Sequence, residues 1–234
     1  MSNVTISRAQ LRAQRKMVYL TALFGSIPMT FGKRLRRIIY PSLFRKFGHG
    51  VEIEPNVQFV RAQSIDLGAS VSICSYTLLN CWDGGELSLD DLVRLDQGIH
   101  IQTLGATISI GARTYMGPYV CIAGPGNISI GKDCLIASHT GIYANNHIFV
   151  DPKTPINLQG LSSKGITIED DCWLGSGVRV IDGVTIGKGS IIGAGAVVNK
   201  NIPPYSIAVG VPARVVGTRD AQTSKQEAIT QTIA

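Results

Sequence analysis

The sequence predicts an all-β fold, a three-sided parallel solenoid with a basic helical segment before it and a short polar tail after it. Three observations carry that expectation. Ile168, Leu174, Val180, Ile186, Ile192 and Val198 fall six residues apart without a slip, and Gly175, Gly187 and Gly193 follow three of them. A shorter signature, an aliphatic, any residue, an aliphatic and then Gly, Asp or Glu, recurs at residues 65–68, 87–90, 108–111, 128–131, 166–169 and 184–187. Aromatic residues make up only 6% of the chain, which suits a narrow coil filled by Ile, Val, Leu and Ala.

The period decides the element type. An amphipathic helix spaces its apolar residues by alternating threes and fours, and a half-buried strand alternates by two, so neither sustains a strict six. A coil with three short sides does, one hexad to a side, with the aliphatic pointing to the axis and a small or polar residue turning the corner. The second aliphatics of the recurring signature lie 22, 21, 20, 38 and 18 residues apart. Three hexads make 18, so the early coils carry extra corner residues, and Asp83-Gly84-Gly85 and Gly124-Pro125-Gly126 supply turn chemistry there. The interval of 38 is one coil plus an excursion of about twenty residues, and a long excursion in a compact solenoid points to function.

Taken in order, the chain opens with residues 1–50, which hold ten Lys or Arg and no acid; the remaining 184 residues carry 12 basic against 16 acidic side chains. A basic arm on a mildly acidic body implies an anionic neighbour: a membrane leaflet, a lipid-linked phosphate or nucleic acid would each satisfy the electrostatics. Residues 17–32 are apolar but number only sixteen and are broken by Gly25 and Pro28, which argues against a membrane span, and no small-residue cleavage site follows them. In residues 33–47, Leu35, Ile38, Ile39, Leu43 and Phe47 recur at helical steps with basic residues mostly opposite, interrupted at Pro41. Such a segment either attaches to an anionic membrane or caps the open end of the solenoid. The coils are expected over 51–217, with a loop excursion at 148–165, and 218–234 reads as a polar tail. Five cysteines, Cys74, Cys81, Cys121, Cys134 and Cys172, are odd in number and lack CxxC spacing, so they read as small core residues of a reducing compartment.

His147 stands where the coil leaves for its excursion, preceded by Asn145 and Asn146. A histidine at that place can accept a proton from a hydroxyl, or can simply bond within a turn. His139 lies one short strand earlier, where it shares the same corner or is merely an exposed polar residue. No Walker or Rossmann phosphate loop is present.

Residues 50–217 resemble the hexapeptide-repeat acyltransferases, most specifically over 171–217. Trp173-Leu174-Gly175-Ser176, residues 183–187, residues 192–198, Ile202-Pro203-Pro204-Tyr205 and residues 210–214 are similar to the closing coils of sugar and polysaccharide O-acetyltransferases. The resemblance implies a left-handed parallel β-helix and a cytoplasmic enzyme, at the inner face of the membrane if the basic segment binds there. It implies acetyl-coenzyme A as donor and transfer to a sugar hydroxyl during polysaccharide assembly. His147 matches the family's catalytic histidine. Trp173 matches a family aromatic beside the donor, and Lys200 and Arg214 match positions that contact its phosphates. A pantetheine arm along the coils also needs small residues it can approach closely, which Gly175, Ser176, Gly193, Ala194 and Gly195 offer. These small residues are also what any coil corner of period six prefers. Asn145 and Asn146 flank the acceptor side, and counting back to the place of a family asparagine lands near Tyr119. The family's sites lie between subunits of a homotrimer, with a free or lipid-linked saccharide as acceptor. Neither a metal nor nucleic acid is expected. The rival readings are N-transfer to an aminosugar, a metal lyase of the γ carbonic anhydrase type using His100, His139 and His147, and a noncatalytic scaffold.

Overall fold

The computed structural model describes residues 8–219, so nearly all of the polar tail expected after 217 falls outside the described residues. Helices α1 (Arg8–Phe24) and α2 (Met29–Ile39) come first, separated at the predicted break around Gly25 and Pro28. A single helical turn at Tyr40–Leu43 follows, and the chain then winds into a parallel β-helix. Its first face has seven strands, from Lys46–Phe47 to Thr185–Ile186; its third also has seven, from Gln58–Val60 to Val197–Val198. The second face has nine, ending in Ser206–Val209 and in Arg214–Thr218, which turns back antiparallel upon it.

The hexad residues behave as their spacing requires. Ile168, Leu174, Val180, Ile186, Ile192 and Val198 are all buried on the axis. Parallel, in-register pairing puts like over like: Ile73, Leu95, Met116, Ile136, Leu174 and Ile192 form one continuous aliphatic column behind the second face. Lengthwise stacking of this kind gives every coil the same two neighbours, so the core is built by repetition and needs no large side chain.

Two of the three corners are regular. At the corner between the second and third faces, Tyr76, Tyr119 and His139 take left-handed backbone conformations with φ near +60°, as do Gly98, Gly177 and Gly195. Each of the last five donates its N–H to a carbonyl of the coil below, for example Tyr119 to Gln97 and His139 to Pro118. An L residue in that region costs on the order of 1 kcal/mol, and the inter-coil hydrogen bond offsets it. The third corner is irregular and holds the extra residues, including the turn at Asp83 and Gly84 and the excursion after residue 147.

The apolar stripe expected over residues 33–47 packs inward for the most part: Leu43 is buried, and Ile39 and Phe47 lie against the core, Phe47 in a strand paired with Leu67. Ile38 is the departure, exposed because α2 turns Gly32 and Arg36 inward. Arg36 holds that inner place by hydrogen bonds. Its Nε donates to the Ile53 carbonyl at 2.8 Å, and Nη1 to the carbonyls of Phe24 at 3.0 Å and Ile27 at 2.8 Å. Phe24 ends α1, so the guanidinium caps a helix C-terminus, where a cation is favoured. Burial pushes its pKa down from the ordinary value, with Tyr40 and Glu54 opposing. The helices do cap the solenoid end, since Asn56 also donates its N–H to the Gly25 carbonyl. All five cysteines are free, with Cys81, Cys134 and Cys172 buried in the core.

Candidate functional site

The excursion returns in phase, with Ile128 paired to Ile166 across it, so the loop is an addition to a corner and leaves the coil unbroken. Its two legs pair antiparallel, Asn146 with Ser162 and His147 with Leu161, and form a hairpin arm standing off the third corner. The arm holds its own shape. Asp151 accepts from the Lys153 amide at 2.9 Å and the Thr154 hydroxyl at 2.7 Å, and these bonds hold its carboxyl below the usual range. The Gln159 side-chain amide closes the loop onto the Asp151 and Thr154 carbonyls. Phe149, Val150, Ile156 and Leu158 point outward and are exposed.

Asp182, one coil above, ties both legs of the arm to the solenoid. Its carboxylate accepts from the backbone N–H of Lys164 and of Gly165, each at 2.9 Å, and from Asn146 Nδ2 at 3.3 Å. Asn145 Nδ2 donates to the Gly124 carbonyl of the coil below at 2.6 Å. The asparagines that precede His147 thus anchor the root of the arm. Sequence reasoning missed Asp182; its only signal is its place at the resumed corner, 18 residues above Lys164. Bonds to a charged acceptor contribute about 1.5–3 kcal/mol each, so Asp182→Ala is expected to raise the rate of native-state tryptic cleavage at Lys153 and Lys164 by at least about tenfold. An unchanged rate would mean that the arm is held elsewhere.

His147 itself is exposed, and its imidazole makes no hydrogen bond to another described residue. The geometry separates it from the other candidates. His139 and Tyr119 lie at the corner between the second and third faces, at the opposite end of the strand Gly141–Tyr143 from His147. The two rings stack on each other, with centroids 5.2 Å apart and planes 17° apart. His139 therefore does not share the corner of His147. Residues 124–127, not Tyr119, underlie the root of the arm, because Ala123 pairs with Tyr143. His100 sits on the third face between Leu78 and Cys121. The three histidines are thus in three places, and among the described residues no group of three His, Cys, Asp or Glu could hold a metal ion.

Most of the expected donor residues gather at the corner of Tyr119 and His139. Gly175-Ser176 and Gly193-Ala194 occupy it on successive coils, and Trp173 leads into it, half exposed. Arg214, paired with Val209, lies above the same corner. Lys200 does not; it is exposed beyond Val197–Val198, on the corner from which the arm leaves. Coil packing alone requires two of the glycines, since a Cβ on Gly175 would come 2.6 Å from the Ala194 nitrogen and one on Gly193 2.7 Å from Val209 Cγ1. Gly195, with φ +72°, has nothing within 4 Å of such a position, and Ser176 and Ala194 are exposed. The upper part of this corner, at Ser176, Ala194 and Gly195, is therefore open, as an extended thioester arm would need.

Comparison with known proteins follows this geometry. Residues 165–200 match the model described as "Bacterial transferase hexapeptide (six repeats)". The chain is 31% identical over 138 residues to an Escherichia coli protein provisionally named lipopolysaccharide biosynthesis O-acetyl transferase WbbJ, an alignment covering 56% of this chain and 70% of that one. It is 40% identical over 114 residues to a provisionally named acetyltransferase of Saccharomyces cerevisiae, covering 48% of this chain and 56% of the relative. For the yeast relative, as for similar Mycobacterium tuberculosis and Staphylococcus aureus proteins, the chain spans less than two thirds of the relative's length. Among solved structures, the fold is similar to AntD, an N-acyltransferase from Bacillus cereus in complex with dTDP and 3-hydroxybutyryl-CoA, with TM-score 0.54 at 18% identity, covering 85% of this chain and 97% of that one. It is also similar to a galactoside acetyltransferase in complex with coenzyme A, with TM-score 0.53 at 22% identity, covering 96% and 88%.

Proposed function

The chain belongs to the hexapeptide-repeat acyltransferase family, and from that premise we propose that it transfers acetyl from acetyl-coenzyme A to a sugar hydroxyl in cell-surface polysaccharide assembly. The observation that carries the reading is His147, an exposed imidazole at the root of a hydrogen-bonded hairpin arm and free of any hydrogen bond within the described chain. In the mechanism, the acceptor hydroxyl attacks the thioester carbonyl while His147 takes its proton. The tetrahedral intermediate then expels the coenzyme A thiolate, which recovers the proton from the imidazolium, leaving an ester and a thiol. The donor lies along the corner of Trp173, Ser176, Ala194 and Gly195, with Arg214 toward its phosphates. Holding both substrates makes the step effectively unimolecular.

One chain does not complete this site, because His147 and the donor corner stand at opposite ends of the third face. Side-by-side copies would bring one chain's arm to the next chain's donor corner. The outward Phe149, Val150 and Leu158 give the arm an apolar surface for that contact, and Lys200, on the arm's corner, would then join the donor phosphates from the neighbouring chain. We therefore propose a homotrimer, with Asn145, Asn146 and Tyr119 meeting the saccharide. The same geometry serves an amine acceptor. The product separates the two, since an ester yields to hydroxylamine and an amide does not.

The first test is calorimetric titration with acetyl-coenzyme A against free coenzyme A, with light scattering on the same sample. Micromolar binding by a trimer is the expected result. A folded monomer, or an oligomer that binds neither ligand, would remove the proposal and favour the scaffold reading.

A further inference from the structure

The helical cap carries large apolar side chains and cations together on its solvent side. On α1 the inner stripe is Met17, Leu20 and Phe24, packed on the core. The outer stripe is Arg12, Arg15, Lys16, Tyr19 and Leu23, at steps of three and four, with Tyr19 67% and Leu23 66% exposed. On α2, where Arg36 has taken the inner face, Phe31 is 67% and Ile38 77% exposed, with Arg34 exposed between them. Four large apolar side chains and four cations thus cover the outer surfaces of two helices at the same end of the solenoid.

The cations divide into two groups. Lys33 and Arg37 are paired to Glu52 and Glu54, and Arg45 to Asp66 and Glu86, so these are spent on the first coils. Arg12, Arg15, Lys16 and Arg34 have no carboxylate partner among the described residues, and the first 50 residues contain no acid. Apolar groups interspersed with unneutralised cations, on helices lying against a folded body, match a surface with an acyl interior below a layer of negative headgroups. No described helix is long and apolar enough to cross a membrane, so the contact would lie in the interface. A second copy of this chain fits poorly, because a two-fold contact would set these cations against themselves.

We propose that the outer face of α1 and α2 docks on an anionic lipid bilayer, Tyr19, Leu23, Phe31 and Ile38 entering the headgroup boundary and Arg12, Arg15, Lys16 and Arg34 meeting the lipid phosphates. Docking does not depend on the acyl-transfer reading, and it holds the solenoid by one end, leaving its corners open to solvent.

The test is flotation of the full chain with vesicles of phosphatidylcholine alone and of equimolar phosphatidylcholine and phosphatidylglycerol. Two variants accompany it, Phe31→Ser with Ile38→Ser, and Arg12→Gln, Arg15→Gln, Lys16→Gln with Arg34→Gln. All six positions are exposed, so both variants keep the fold, which circular dichroism checks. The wild type is expected to float with the anionic vesicles at low salt and not with the neutral ones, and each variant to lose at least about tenfold in partitioning. Failure of the wild type to bind overturns the proposal. So does binding that neither variant alters, which would put the contact elsewhere. A change of oligomeric state in the variants with vesicle binding intact would also overturn it and make the face an interface between copies.

Discussion

Replacing His147 by alanine is expected to lower turnover on the order of 10² or more while leaving acetyl-coenzyme A binding within a fewfold of wild type. The separation follows from the geometry. The residues matched to the donor are mostly at another corner, so deleting the imidazole leaves them in place. Nor should the arm collapse, because its root is held by Asn145, Asn146 and Asp182 and its tip by Asp151 and Gln159. His147→Gln keeps a polar side chain of similar length but cannot carry the proton, and should be nearly as slow. Steady-state kinetics beside calorimetry read both quantities. Normal turnover in either variant would end the assignment of His147 as the base.

The second large effect concerns stability. Arg36→Met keeps the aliphatic stem but leaves the carbonyls of Phe24, Ile27 and Ile53 without the donor they share. An unsatisfied buried acceptor costs about 1–3 kcal/mol. Against the sum of three stands the relief of desolvating a cation, one that has no carboxylate partner and whose Nη2 is itself unpaired among the described residues. A net loss of about 3 kcal/mol is the expected outcome, confined to the cap because each layer of a solenoid leans only on its neighbours. Amide exchange should therefore accelerate in α1 and α2 and stay slow in the coils that follow. A cap that gains protection would show that desolvation outweighs the three bonds.

These expectations also mark what could be read from the chain alone. Periodicity reports which residues face the axis, and a period of six survives because every coil repeats the same environment; Ile168 and its successors could hardly be misplaced. The break between α1 and α2 was equally legible, since Gly25 and Pro28 act locally. The burial of Arg36 on α2 was not. A hydropathy pattern assumes that apolar residues go inward, and here one arginine finds three carbonyls and takes the inner position. Nor could the arm be recognised as a hairpin: its paired strands are two residues each and carry no alternation. Corner identity was the costliest gap. One coil back from His147 is twenty residues, as Ala123 beneath Tyr143 shows, so Tyr119, twenty-eight residues back, falls on another edge beside His139. Asp182 escaped notice because a carboxylate that accepts backbone amides leaves no mark in sequence beyond its presence.

The antiparallel return of Arg214–Thr218 over Ser206–Val209 bears on how such molecules can be put together. A parallel β-helix with a bare final rung offers the next molecule a template of matching direction, and stacking rung upon rung would grow a fibre. Here the last strand of the second face runs the wrong way for that, and at the other end the rungs lie under helices. Among the described residues, rung-on-rung growth of the second face is therefore blocked at Arg214–Thr218, and the proposed trimer uses lateral contact instead, setting the edge bearing His147 against the edge bearing Ser176.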